Sequence, residues 1–336
     1  MYNQNSGYGQ MLVNAAASVC PAFGKILVVC PSTDANYGRL SQIYKADPDG
    51  LLRLYTTLAS AYAAATNNQN DVILLEGQST HSLDAGIAWS KSRVHVVGLD
   101  GGGNRLVQQG AKVQLATAAT TAYVILNTGV RNTFKNIKFI QAATAGTGLT
   151  VFQDGGEGAL FENCSFVFGV VNNLGGATAH EFLAGSDSAT FLKCTFGSDT
   201  LLTSGARSVF HVDQVTASQE FKSNILRGCT FIMSSSSSTA TFVRLDAVGD
   251  ILFSNLFDRC NFVASVDSAG GAAIAEAVQT GTGTAKGTLN FAYPGVFSVT
   301  NFATATGGRN AGVRIVGSVV DPAAATDFVA VTPVAT

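Results

Sequence analysis

A short hydrophobic pattern returns five times along the middle of the chain. Each copy has a bulky apolar residue first, Ile or Cys fourth and Phe sixth, with variable residues between them. The alternation at the end of each copy is the two-residue period of a β-strand with one buried face. The copies are residues 134–139, 161–166, 191–196, 226–231 and 257–262.

The spacing of the copies predicts how they pack. The fourth residue recurs after 27, 30, 35 and 31 residues, which is typical of a solenoid whose units bury their apolar faces against each other. Parallel stacking puts like side chains over like, about 4.8 Å apart. Two interior columns are predicted: Phe139, Phe166, Phe196, Phe231 and Phe262, and beside them Ile137, Cys164, Cys194, Cys229 and Cys260.

The repeat predicts an all-β chain folded as a right-handed, single-stranded parallel β-helix with a short α-helical and strand cap at its N-terminal end. We expect residues 1–70 to form an N-terminal extension with a capping helix that begins after Thr56. Residues 71–302 are expected to form the β-helix, and residues 303–336 a C-terminal strand and tail, for which a contact with another subunit is favoured over a disordered end. A weaker sixth copy at residues 297–302 puts Thr300 where the cysteines stand.

The cysteine column has two interpretations. One is metal or redox chemistry, and the other is a narrow core layer filled by small, polarisable side chains. The core interpretation is favoured because Ile137 and Thr300 take the same position at the ends of the series. The four histidines, at 81, 95, 180 and 211, never fall four residues apart. No metal and no cofactor is therefore predicted.

Composition limits the partners. Hydrophobic residues make up 46% of the chain and charged residues 12%, and the formal net charge is −2. No overall field draws such a protein to nucleic acid or to an anionic membrane, so neither is predicted as a partner. The N-terminal residues lack the basic and then apolar order of a secretory signal, and we expect assembly in the cytoplasm.

Two segments resemble a known superfamily. Residues 71–77, with the predicted helix before them and residues 94–98 after them, resemble the start of a pectate-lyase-like β-helix. Repeats such as Glu-Asn-Cys-Ser-Phe at residues 162–166 are common in that superfamily. The pattern over residues 56–302 resembles bacteriophage virion proteins of this fold, a group that includes tail spikes and head-associated proteins. The resemblance implies a place on a virion that is assembled in the host cytoplasm.

Few residues suggest catalysis. Cleavage of a polysaccharide would use two carboxyl groups roughly 5 to 9 Å apart on one outer face. Asp154, Glu157 and Asp187 are the candidates, and they lie in Gly- and Ser-rich corners before the Phe-rich strands. Side chains in such corners commonly bond their own backbone, and this interpretation is favoured.

A lyase of the pectate type would need several aspartates for calcium and a basic residue that abstracts a proton. No arginine stands beside an acidic cluster in the sequence. The arginines considered for this role are Arg131, Arg207, Arg227 and Arg259.

The resemblance, together with the lack of a catalytic cluster, implies a virion structural protein without enzymatic activity. Its role would be mechanical, as a stiff rod that decorates or stabilises a phage capsid. A homotrimer is expected, in contact with the major capsid protein or other virion proteins. One alternative is a tail spike or tail fibre component that binds host glycans, with or without polysaccharide-cleaving activity, and a further one is a free glycan hydrolase or lyase. The missing acidic cluster favours the structural role.

Overall fold

The computed structural model describes most of the chain between residues 24 and 316. The described ranges are 24–44, 53–99, 110–144, 149–169, 179–203, 207–215, 220–237, 239–247, 251–265, 274–282, 286–303 and 313–316. Within them the chain forms two short helices, α1 (Tyr37–Tyr44) and α2 (Leu58–Ala64), and strands that wind into three long sheets. The architecture confirms the prediction of an all-β parallel β-helix.

Sheet 1 is the longest and has twelve strands. They are β1 (Ile26–Val29), β2 (Leu54–Tyr55), β3 (Asp71–Leu75), β6 (Val94–Gly98), β9 (Thr133–Lys135), β12 (Leu160–Glu162), β15 (Thr190–Leu192), β18 (Phe221–Lys222), β19 (Ile225–Arg227), β22 (Ile251–Asp258), β26 (Lys286–Ala292) and β29 (Val313–Val316).

Sheets 2 and 3 have eight and seven strands. Sheet 2 contains β4 (Thr80–Leu83), β7 (Ala111–Leu115), β10 (Ile137–Gln141), β13 (Ser165–Phe168), β16 (Thr195–Thr203), β20 (Thr230–Ser235), β23 (Asn261–Ala264) and β27 (Gly295–Phe297). Sheet 3 contains β5 (Ile87–Trp89), β8 (Ile125–Asn127), β11 (Thr150–Asp154), β14 (His180–Ala184), β17 (Ser208–Val212), β21 (Thr241–Ala247) and β25 (Val278–Thr282). A separate pair is formed by β24 (Ile274–Glu276) and β28 (Val299–Asn301).

One coil of the helix passes through the sheets in the order 1, 2, 3, as β9, β10 and β11 do. The turn from sheet 1 to sheet 2 is a single residue in the left-handed region, such as Asn136 (φ 57°) or Asn163 (φ 51°). Asparagine tolerates that conformation better than most residues. The Asn163 side chain also donates to Oδ1 of Asn136 at 2.9 Å, which ties one coil to the next.

The aromatic column lies inside the coil. Its phenylalanines, from Phe139 to Phe262, are register partners in sheet 2, and neighbouring rings stack at 4.8 to 5.5 Å between centroids. Sheets 1 and 3 add two stacks that were not predicted as columns, although the first of them is formed by the first residues of the repeat copies. They are Phe134, Phe161 and Phe191, and Phe152, Phe182 and Phe210. Three aromatic stacks meeting edge to face fill the core of these coils.

The cysteine column lies beside the first stack and is fully enclosed. The Cys164 thiol donates to the carbonyl of Phe134 in the coil below at 3.2 Å, and Cys194 to that of Phe161 at 3.5 Å. Burial raises the pKa of Cys194 well above its usual value. Buried thiols that donate to backbone carbonyls act as core filling rather than as nucleophiles or metal ligands.

The predicted sixth copy is misplaced by six residues along the chain. In sheet 2 the partner of Phe262 is Val296, while Phe297 is 46% exposed. The sixth coil therefore starts at Phe291, which stacks on Phe257 at 4.6 Å. Thr300 lies in the separate strand pair instead, in β28. Strand register, which a residue pattern alone does not contain, decides between the two alignments.

The N-terminal end of the core is covered by helix α2. Thr57, not Thr56, is the N-cap, and its hydroxyl accepts from the backbone N–H of Ser60 at 3.2 Å. Tyr62 stacks on Trp89 with 4.0 Å between ring centroids, which closes the first coil. No helix among the described residues is long and apolar enough to cross a membrane.

Strand pairing in sheet 1 also continues beyond the predicted limits of the β-helix. Strand β1 pairs with β3 and β2 at the N-terminal end, and β29 pairs with β26 at the other. The predicted C-terminal tail contact falls largely on residues 317–336, which lie outside the described residues.

Candidate functional site

The corner between sheet 3 and sheet 1, called the 3–1 corner here, is built in the same way in successive coils. In four coils a residue with a left-handed conformation lies shortly before the sheet 1 strand, and in the next coil Phe253 has the same conformation within β22, with φ between 55° and 64° in all five. This residue reverses the chain and leaves the residue before it on the outside. The left-handed residues are Arg131, Gly158, Ser188, Ser223 and Phe253.

Glu157, Asp187 and Lys222 take the same outer position in three consecutive coils. Parallel bridges pair Glu157 with Asp187 and Asp187 with Lys222, which sets their backbones about 4.8 Å apart. Glu157 is exposed, and the side chains of Asp187 and Lys222 are 29% and 34% accessible. Arg131, also exposed, donates its N–H to the carbonyl of Glu157 at 2.7 Å from the coil below. These four residues are called the charged edge.

Asp187 is held on both oxygens. Lys222 Nζ lies 2.9 Å from Oδ2, and the Ser188 hydroxyl donates to Oδ1 at 2.7 Å. The hydrogen bond and charge of Asp187 raise the pKa of Lys222, with smaller contributions from Glu220 and Glu157. Asp187 is thus oriented as an acceptor beside a cation, while Glu157 stands next to it in the coil below.

A buried polar network supports the corner from inside. Asn127 donates to Oδ1 of Asp154 at 2.7 Å, and Asn132 donates to Oδ1 of Asn127 at 2.9 Å. The same Asp154 oxygen accepts a long bond of 3.4 Å from the N–H of Gly156, next to Glu157. The turn that presents Glu157 is therefore tied to the interior of two coils.

The coil that carries Asp187 is supported in the same way. Asn224 donates its side-chain amide to the carbonyl of Ser186 at 2.9 Å and accepts from the N–H of Ala189 at 2.7 Å. Asn255, one coil further, accepts from the N–H of Asn224 at 3.0 Å. These bonds hold the backbone on both sides of Asp187, and they therefore restrict the positions that its carboxylate can take.

The structure separates the three predicted site residues. Glu157 and Asp187 come together on the charged edge, whereas Asp154 points inside and is completely buried. Burial raises the pKa of Asp154 from 3.8 to about 6, against the opposing hydrogen bonds of Asn127 and Gly156. Asp154 is out of reach of any substrate on the surface and supports the turn instead.

Among the arginines considered, only Arg131 adjoins the predicted carboxylates, an association that the sequence interpretation missed. Arg207 is buried, pairs with Glu181 and lies over the ring of Phe168 at 5.1 Å. Arg227 and Arg259 contact Asp258 at the turn from sheet 1 to sheet 2, at 2.9 and 3.7 Å.

Lys222 was missed as well, although the repeat contains the signal. It stands four residues before Leu226, as Glu157 and Asp187 stand four before Phe161 and Phe191. Aligning the corners on the hydrophobic copies would have brought Glu157, Asp187 and Lys222 to the same position.

A histidine pair on the outer side of sheet 3 also escaped sequence interpretation. Nδ1 of His211 lies 2.7 Å from Nε2 of His180, whose other nitrogen lies 3.0 Å from the Ser208 hydroxyl. Burial and the neighbouring His211 lower the pKa of His180 well below its ordinary value. Both rings are buried, so the pair is not accessible as a base at the surface.

Among the described residues, no three His, Cys, Asp or Glu side chains form a group that could hold a metal ion.

Comparison with known proteins shows that this chain is similar in fold to several solved structures. No protein-family model matches the chain, and no curated protein matches it. A pectin methylesterase from Aspergillus niger is 10% identical over 90% of this chain and 93% of its own, with a TM-score of 0.46. The pectate lyase Pel9A is 16% identical over 90% and 71%, with a TM-score of 0.48. The pectin methylesterase PemA from Erwinia chrysanthemi is 11% identical over 88% and 93%, with a TM-score of 0.39.

These similar structures correct one prediction. All three are named as enzymes that act on pectin or pectate, and the prediction of a protein without enzymatic activity is contradicted by them. None of the three is named as a virion protein, and the place on a virion stays a prediction. At this level of identity the likeness concerns the fold, so the chemistry of this chain has to be inferred from its own residues.

Proposed function

We propose that this protein binds a polysaccharide along the 3–1 corner and cleaves a glycosidic bond there, with Glu157 and Asp187 as the pair of carboxylates. The observation that carries the proposal is their register: they are bridge partners on adjacent coils. A backbone spacing of about 4.8 Å suits the separation of about 5 to 5.5 Å between the carboxyl groups of retaining glycosidases.

The neighbouring side chains suit the two carboxyl groups to different roles in the reaction. Asp187, beside Lys222 and hydrogen-bonded by Ser188, is oriented to attack the anomeric carbon. Glu157 would donate its proton to the glycosidic oxygen, so that the carbon–oxygen bond breaks and one sugar chain leaves as an alcohol. Glu157 would then take a proton from water, and the hydroxyl would displace Asp187 from the anomeric carbon. Both carboxyl groups end in their starting states.

The shape of the corner suits a polymer. The charged edge runs along the helix axis over successive coils, so an extended chain could contact several of them at once. Arg131 and Lys222 stand on either side of the carboxylates and can donate to sugar hydroxyls or carboxyls.

Measurement of new reducing ends tests the proposal. The protein would be incubated separately with pectin and with purified capsular and O-antigen polysaccharides. We expect turnover on at least one polymer, and a loss of about two orders of magnitude in kcat for Glu157→Gln and for Asp187→Asn. Asp199→Asn, an exposed carboxylate on β16, is the matched control and should keep full activity. No turnover on any polymer, or full activity in both variants, would contradict cleavage at this pair.

From the resemblance alone we further propose that the protein works as a homotrimer in a tail spike or tail fibre of a bacteriophage. Self-association and contacts with other virion proteins are predictions for this arrangement. Sedimentation of the purified chain and immunogold labelling of phage particles test both. A monomer at micromolar concentration, or particles without label, would argue against them.

A further inference from the structure

An aromatic side chain stands on the same corner beyond the charged edge. Leu252 pairs with Lys222 in the next coil, and Phe253 follows it with φ at 55°. Phe253 is 63% exposed, the highest value among the large hydrophobic residues described. A bulky residue in the left-handed region, exposed to water, gains nothing from burial to offset its backbone strain. Such a position calls for a role outside the core.

The neighbouring coils leave the ring uncovered. The residue in the coil below that follows Lys222 is Ser223, and the register partner in the coil above is Gly287. A Cβ at Gly287 would lie only 2.5 Å from the carbonyl oxygen of Phe253, so the close approach of the two strands keeps a side chain out of that position. Small residues on both sides leave room for a planar group to lie against the ring.

We propose that Phe253 is a stacking subsite for one pyranose ring of the polysaccharide that reaches Glu157 and Asp187. The C–H face of a sugar ring and the face of an aromatic ring pack as two apolar surfaces, while the hydroxyl groups at the rim stay in water. The ligand class is thus a pyranose polymer with an unsubstituted C–H face. The placement rests on the proposed function, whereas the affinity of Phe253 for sugar does not require cleavage.

The helix geometry sets the distance between the subsite and the carboxylates. Phe253 lies two coils beyond Asp187, which is roughly 10 Å along the axis. A sugar residue in an extended polymer has about the length of one coil, so two or three residues would connect the stacked ring with the cleaved bond. Oligosaccharides too short to span this distance should not benefit from Phe253.

Affinity electrophoresis measures the subsite without catalysis. The protein would carry Glu157→Gln throughout and migrate in gels that contain pectin, alginate, soluble β-glucan or purified O-antigen. We expect at least one polymer to retard the protein, and Phe253→Ala to weaken that retention at least tenfold while Phe253→Trp preserves it. Tyr293→Ala is the matched control, because Tyr293 is also exposed (57%) and left-handed (φ 51°) but lies on the turn from sheet 1 to sheet 2.

The outcomes separate this inference from the proposed function. Weaker retention for Phe253→Ala supports the subsite, even if Glu157→Gln and Asp187→Asn keep full cleavage and the catalytic proposal fails. Equal retention of Phe253→Ala and its parent, equal losses for the Phe253 and Tyr293 variants, or no retention of the parent on any gel would each overturn it. Where cleavage is found, Phe253→Ala should raise KM for long oligosaccharides only and leave kcat unchanged.

Discussion

The inner and outer sides of the β-helix follow opposite rules. Inside, the same residue type returns in coil after coil, as in the aromatic column from Phe139 to Phe262 and the thiols beside it. Outside, on the 3–1 corner, the register position of Glu157 is taken by Asp187, Lys222 and Leu252 in the coils that follow. Repetition is what stacking requires, because each coil packs on the next. At positions where the backbone geometry repeats but the side chains differ, stacking does not restrict the residue type, and the side chains can be selected for binding a ligand.

The largest effect should come from breaking an inner column. Cys229→Asp would bury a charge without a partner between Cys194 and Cys260, and we expect it to lower the free energy of unfolding by about 4 kcal/mol. Cys229→Ala, which leaves only a small cavity, should cost about 1 to 2 kcal/mol. Guanidinium denaturation of both variants measures the difference. Equal midpoints would mean that the thiol column is not inside.

A second effect lies where the inner and outer sides meet. The pKa of Asp154 is raised from 3.8 unfolded to about 6 folded, so the folded state keeps a proton that the unfolded state gives up. The contribution of Asp154 to stability is therefore greatest below about pH 4 and is lost as the pH rises through about 6, by about 3 kcal/mol in total. Asp154→Asn removes this loss.

We expect Asp154→Asn to be more stable than the wild type by up to about 3 kcal/mol at pH 8 and about equal to it at pH 4. Denaturation curves at several pH values test this. A difference that does not change with pH would show that Asp154 is not buried as described. Cleavage activity, where found, should survive in this variant because Asp154 does not reach the surface.

The smallest effect concerns the outer side alone. Phe253→Gly relieves the left-handed strain at an exposed position and should raise the free energy of unfolding by about 1 kcal/mol. Tyr293→Gly, in the same conformation on the other corner, should give a similar gain. Losses of stability in both variants would mean that these rings contribute packing energy, which would weaken the case for a ligand on Phe253.

Much of the inner side could be predicted from the sequence, because stacking repeats leave their spacing in the chain. The alternation that marked the Phe and Cys positions also contained the orientation of Asp154, since residues two apart on β11 share a face and Phe152 points inside. Its glycine-rich surroundings suggested an exposed turn, which is why it was grouped with Glu157 and Asp187.

The other features of the fold and of the site depend on contacts between coils, which cannot be read from the spacing of the repeats in the sequence. Strand register placed Phe291 rather than Phe297 over the preceding coil, and two copies that differ by a few residues in phase look alike in the sequence. The charged edge is assembled from coils 27 to 35 residues apart, and its members differ chemically. A search for a local acidic cluster therefore could not find it.

The most direct test of the account is a crystal structure of the Glu157→Gln variant with an oligosaccharide of the polymer that retards or is cleaved. We predict a sugar chain along the 3–1 corner, with a glycosidic oxygen within hydrogen-bond distance of the side chain at position 157 and one pyranose ring over Phe253. A sugar chain bound on another face of the helix, with the charged edge empty, would contradict it.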